Sequence, residues 1–151
     1  TTEGFLTALG SRFSVTPNAS PEPSKGWVSM YVADAWYGVD FSPVRSAIRG
    51  DGESVVKQLD VAILQDHVLA PLLNVKDIRT DPRVTFVGGS RGTAALEQAV
   101  DSGAAAVAFS LAAVTPSELL AISDAGDIMP PKSTWFEPKL RDGLLAHRFS
   151  S

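Results

Sequence analysis

Apolar residues in this chain follow a helical rhythm in some stretches and a strand rhythm in others, and the alternation between the two predicts the fold. Phe5, Leu6, Leu9 and Phe13 recur at spacings of one, three and four, which predicts a short amphipathic helix ending near Gly10. Residues 16–25 are polar and proline-containing and read as a surface loop. Trp27–Val32 and Ala35–Phe41 are rich in aromatic and β-branched residues and flank Ala33-Asp34, the pattern of a β-hairpin. Trp27, Tyr31 and Trp36 are expected to cover one face of its sheet. After a Gly50–Glu53 turn, Val61, Leu64, Val68 and Leu72 repeat at three and four, with Leu59 and Ile63 widening the stripe. So wide an apolar face predicts a helix buried against a sheet. Pro71 would break or kink its last turn. His67, inside this helix, reads as a hydrogen-bonded structural residue.

The second half alternates more regularly. Val84–Val87 predicts a short strand, Gly88–Gly92 a tight turn, and Thr93–Asp101 a helix with Ala95, Leu96, Ala99 and Val100 on one face and Gly103 as its C-terminal cap. Ala104–Leu111 is continuously apolar, as in a strand buried on both faces. Thr115-Pro116-Ser117-Glu118 has the form of a capping box, opening a helix that stops at Gly126. A proline-rich loop follows, and Gly143–Phe149 reads as a last strand. The expected fold is α+β: a single domain over 1–151 with one mixed β-sheet, an N-terminal β-hairpin and a strand–helix–strand–helix second half.

Composition narrows the class. With 44% hydrophobic and 20% charged residues the chain is globular. A net charge of −4 argues against a nucleic-acid surface. No apolar run is long enough to span a membrane, and without cysteine no disulfide or thiolate metal site can form. Two distant histidines make a metal centre unexpected. The opening Thr1-Thr2-Glu3 has neither a methionine nor the features of a signal peptide. The expectation is a cytoplasmic protein, and a start without methionine reads as either processing of a longer chain or a fragment.

Two stretches hold candidate chemistry. At the Gly88-Gly89-Ser90-Arg91-Gly92 junction, glycines allow close approach of a ligand, and Arg91 with free helix N–H groups favours an anion. The spacing matches neither a Walker A loop nor Gly-x-Gly-x-x-Gly, so a plain strand-to-helix turn stands beside the anion site as a reading. Met129-Pro-Pro-Lys-Ser-Thr-Trp-Phe-Glu-Pro-Lys139 is a loop braced by three prolines, which exclude a helix interior or a central strand. Lys132, Ser133, Thr134 and Lys139 offer donors to phosphate or carboxylate oxygens, and Glu137 a base. The other reading is that Trp135 and Phe136 pin the loop to the core while its polar residues are solvated. His147 and the scattered carboxylates form no nucleophilic or paired-acid arrangement.

The runs Val100–Gly103, Ala106–Phe109, Ala125–Leu140 and Gly143-Leu144, with Leu59–Val61 through Pro71–Leu73 and the opening Gly4-Phe5-Leu6, resemble the C-terminal part of a bacterial and archaeal family of unknown function, DUF 1015. The resemblance covers nearly all of the chain. Full-length members carry an upstream Asp-Gly-His-His-Arg motif, absent here, that is similar to one in the ParB and sulfiredoxin-like group, which includes nucleotide-binding proteins and a nucleotide-dependent kinase of free serine. The resemblance implies a domain that completes a phosphate or nucleotide pocket of a small-molecule kinase-like enzyme whose catalytic motif lies upstream. The chain would then be the C-terminal portion of a longer protein or the partner of a separate N-terminal chain; ATP or ADP with Mg would be the cofactor, and a phosphorylated small molecule and that upstream portion or separate chain the partners. Arg91 and Lys132 would hold anionic oxygens, with Ser133 and Thr134 adding hydrogen bonds. A second class of function is a non-catalytic interaction module or homo-oligomer built on Trp135 and Phe136.

Overall fold

The computed structural model describes residues 1–50 and 54–130. Its frame is a four-stranded sheet in the order β1 (Val15–Pro17), β3 (Ala35–Asp40), β2 (Trp27–Val32), β4 (Ala108–Leu111). Around it lie α1 (Thr2–Gly10), α2 (Ser42–Gly50), α3 (Asp60–Leu64), α4 (Ala70–Leu73), α5 (Ala94–Asp101) and α6 (Pro116–Asp124). The fold is α+β, as expected. All three strand pairings are antiparallel, so among the described residues the sheet is not mixed.

The hairpin forms where its residues predict it. Val32 faces Ala35 across a two-residue turn, and Ala33 and Asp34 both take positive φ, 49° and 59°. That is the mirror-image turn whose twist matches paired strands. Alternation then sorts the side chains. Val28, Met30, Val32 and Val39 point to one face, where they pack with Leu9, Phe13, Phe41, Ile63, Leu64 and Val68 into the main core. Tyr31 and Trp36 point to the other and meet Ala108, Leu96 and Val100. Helix α5 is fixed there by two part-buried hydrogen bonds as well: Tyr31 Oη donates to Asp101 at 3.0 Å and Trp36 Nε1 to Glu97 at 2.7 Å.

Residues 16–25 are not simply a loop. Val15–Pro17 pairs with β3, and the chain then crosses the second sheet face at Gly38. Ala19 N–H donates to the Trp36 carbonyl, and Ser29 Oγ to the Ser20 carbonyl at 2.6 Å. A Cβ at Gly38 would lie 3.2 Å from that of Ala19 and 3.4 Å from the Trp27 ring, so the crossing depends on glycine.

The wide-faced helix runs on from α3 to α4 through one π-helical turn, Gln65–Leu69, in which Ala70 N–H reaches back to the Gln65 carbonyl. The wider turn lies immediately before Pro71, whose ring would collide with the carbonyl four residues back in a regular helix. His67 is half-buried within it.

Two strand expectations need correction. Residues 84–87 form no strand among the described residues, and Phe86 is 45% exposed. A tight turn, in which Val84 N–H donates to the Asp81 carbonyl and Arg83 clasps Asp81, directs this segment. The Ala104–Leu111 run yields only the four residues of β4, at an edge of the sheet among the described residues, with Ala104 and Ala106 exposed. Alanine makes a run apolar without requiring burial, which is why it mimicked a central strand. The expected Gly143–Phe149 strand lies outside the described residues.

Candidate functional site

Four charged side chains from distant parts of the chain converge where α2, α3 and α6 meet. Asp60 opens α3, and its side chain is only 2% exposed. Its Oδ2 accepts the Gly26 N–H at 3.2 Å. Gly26 has φ +83°, and a Cβ there would lie 2.9 Å from Ser42 Oγ, so this donor is presented by a residue that has to be glycine. Arg45, on α2, brings Nη1 to 3.7 Å from Asp60 Oδ1 and donates through Nη2 to Glu118 Oε1 at 2.8 Å. Lys25 Nζ is 2.8 Å from Glu118 Oε2.

Glu118 is placed by the predicted capping box. Thr115 N–H donates to its carboxylate at 2.8 Å and Thr115 Oγ1 at 2.9 Å, while Glu118 N–H donates back to Thr115 Oγ1. Burial alone would raise the Glu118 carboxyl, but the Lys25 ammonium and the two Thr115 donors outweigh it and hold the carboxyl at about 2. Asp60 goes the other way. Burial pushes its carboxyl up against the opposing pull of Gly26 N–H, Arg45 and Lys25, and Glu118 adds to the rise. Among the described residues, its Oδ1 has no hydrogen-bond donor. Two carboxylates and two cations that chiefly engage one another form a latch joining the 25–26 turn to three helices.

A cleft of about 300 Å³ opens beside α3, lined by Val61, Gln65, Asp66, Lys76, Arg79 and Pro130, among others. That is the lower end of small-ligand size. The π turn supplies its helical wall through Gln65 and Asp66. Gln65 Nε2 donates to the Val75 and Lys76 carbonyls at 2.9 and 3.4 Å, which fixes the amide so that its buried Oε1 has no donor among the described residues. Arg79 clasps Asp77 with both oxygens engaged, holding that carboxyl below its ordinary range. Pro130 stands at the root of the proline-braced loop, so this cleft adjoins the start of that loop.

Of the residues singled out in the sequence, Gly88, Gly89, Ser90 and Arg91 are all exposed, and Gly89–Arg91 forms a 3-10 turn. Arg91 N–H and Gly92 N–H close that turn on the Gly88 and Gly89 carbonyls. Helix α5 begins three residues later with no side-chain cap from Thr93. Lys132, Ser133, Thr134, Trp135, Phe136, Glu137 and Lys139 lie outside the described residues, as does His147. The sequence reading missed Asp60, Arg45 and Lys25 as a unit. A carboxylate between Leu59 and Val61, at the start of the most apolar helix, was the available signal.

Among the described residues, no group of three or more histidines and carboxylates is placed to hold a metal ion, and no helix is long and apolar enough to cross a membrane. No family model, no curated protein and no solved structure matches the chain.

Proposed function

We propose that this chain is an anion-binding domain that completes a phosphate or nucleotide pocket together with an upstream portion of the same protein, as its resemblance to DUF 1015 implies. The observation that supports the reading is the glycine turn. Neither Gly88 nor Gly89 takes a left-handed backbone, and a Cβ at Gly88 would meet nothing nearer than Ser90 Oγ at 3.9 Å, one at Gly89 nothing at all. Packing among the described residues therefore gives no reason for glycine there, whereas close approach of a ligand does. Exposed Arg91 supplies the cation, and Lys132, Ser133 and Thr134 would add donors from the loop rooted at Pro130. Such groups act by positioning phosphate oxygens and stabilising their charge. A bound magnesium would be held largely by the phosphates and water.

Calorimetry with ADP and ATP, with and without magnesium, tests this on the protein with its upstream portion. Arg91→Ala and Lys132→Ala are each expected to weaken binding by about tenfold, the equivalent of about 1.4 kcal/mol. Unchanged binding in both variants removes the proposal.

A second reading, the interaction module, is supported by apolar exposure next to the loop. Ile128 is 87% exposed and Leu120 63%, so the segment leading to Trp135 and Phe136 already offers apolar surface. Loss of partner binding or of self-association in Trp135→Ala is expected on this reading, and retention of both eliminates it.

A further inference from the structure

The two acids of the latch are unequally served. Glu118, 15% exposed, is met at 2.8–2.9 Å by Lys25, Arg45 and both Thr115 donors. Asp60, 2% exposed, accepts one hydrogen bond among the described residues, from Gly26 N–H at 3.2 Å to Oδ2. Arg45 Nη1 stands 3.7 Å from its Oδ1, beyond hydrogen-bond length. A carboxylate ion so cut off from water and so thinly paired is costly, whereas the neutral acid is far less so. The more buried acid has the poorer partners, an arrangement that fits a neutral Asp60 beside an ionised Glu118.

We propose that Asp60 is a proton-operated switch for α6: it is neutral in the arrangement described, and when its proton passes to water Arg45 turns from Glu118 to Asp60 and unties α6 from α2. Among the described residues the charged groups facing Asp60 are Lys25 from the 25–26 turn, Arg45 from α2 and Glu118 from α6. Arg49, Lys57 and Asp66, on the elements next to it, are exposed, and His67 lies about 10 Å further along the helix axis. Arg45 has donors directed at both acids. Ionised Asp60 has no water to stand in for a cation, whereas Glu118 without Arg45 still has Lys25 and Thr115. The guanidinium is one rigid plane, so closing the 3.7 Å gap draws Nη2 along with Nη1. Glu118 keeps its charge down to about 2, so its own titration does not work the switch. The tie between α2 and α6 is full in acid and is released as pH rises through the folded value of Asp60, which burial places above the ordinary 3.8. Neither the glycine turn nor the proline-braced loop takes part, so the proposal stands or falls independently of both readings above.

NMR of the whole chain, titrated from acid to neutral pH, is the test. The Asp60 carboxyl carbon is expected to titrate with a midpoint above 3.8, and the Arg45 guanidinium nitrogens to move with that same midpoint. Over this step the amides of α6, corrected for the ordinary acceleration of exchange with pH, are expected to lose protection by about fivefold, the worth of one partly solvated ion pair. Asp60→Asn keeps an acceptor for Gly26 N–H without a charge, and is expected to hold Arg45 and α6 in their acid state at every pH. A wild-type midpoint at or below 3.8, Arg45 signals that do not follow it, α6 protection unchanged across the step, or a loss of protection that persists in Asp60→Asn would each overturn the proposal. The first three need no variant.

Discussion

Replacing Glu118 with alanine is the perturbation whose size the structure defines best. The side chain is 15% exposed and accepts from Thr115 N–H, Thr115 Oγ1, Lys25 and Arg45 at 2.8–2.9 Å. Loss of the capping box alone costs about 1 kcal/mol. The two ion pairs are partly solvated and so contribute about 1 kcal/mol each at most. The sum is about 3 kcal/mol, which for a chain of this size lowers Tm by roughly 6–12 °C. Glu118→Gln keeps an acceptor at the third helical position but loses the charge, and is expected to cost about half as much. The folded carboxyl sits at about 2, below its ordinary 4.5. A depressed carboxyl stabilises the fold fully above the unfolded value, and that contribution is lost as pH falls from 4.5 towards 2. Thermal melts followed by circular dichroism should therefore show a gap between wild type and Glu118→Gln at pH 7 that closes in this acid range. An alanine variant melting within about 2 °C of wild type, or a gap indifferent to pH, would refute the reasoning.

Asp60 should respond to pH in the opposite sense. Burial raises its folded carboxyl above the ordinary 3.8, so stability is lost as pH rises from there through the folded value. Asp60→Asn should abolish that part of the pH dependence, and denaturant titration across the acid-to-neutral range measures it. Asp60→Ala instead strips the buried Gly26 N–H of its acceptor and should cost about 1–3 kcal/mol at neutral pH. Ala33 holds φ at 49° in the hairpin turn, a conformation that disfavours a Cβ by about 1 kcal/mol. Ala33→Gly is expected to raise Tm by a few degrees, and a lower Tm would show that the turn does not carry this strain.

Features set by local chemistry were readable in the chain. Thr115, Pro116 and Glu118 form the capping box their spacing predicts, and Gly103 and Gly126 take the left-handed positions expected after α5 and α6. The Trp27–Asp40 hairpin follows from its own residues. What was not readable depends on partners remote in sequence. Val15–Pro17 becomes a strand only because β3 offers an edge, and its proline and polar neighbours disguise it. Helix α2 went unread even though Ser42 N–H is capped by Asp40 at 2.8 Å and Val44 and Ile48 are spaced four apart. Its remaining residues are polar, and the helix is amphipathic only against a core that sequence alone does not display. The same holds for the Asp60 latch. Lys25, Arg45, Asp60 and Glu118 carry no common motif, and only the packing of three helices brings them together.

The order of the sheet also has a consequence for how the chain assembles. β2 lies between a neighbour that follows it immediately, β3, and one that is made much later, β4, with Val28 opposite Leu111. During synthesis the hairpin and β1 can therefore pair early, while one side of β2 waits through α2, α3 and α4 for its last partner. Closing that long loop is the entropically costly step of folding. The helix that precedes β4 is anchored to the hairpin by Tyr31–Asp101 and Trp36–Glu97, so α5 can dock first and shorten the remaining search to a few residues. In a nascent chain that has not yet reached α5, β2 is the exposed edge.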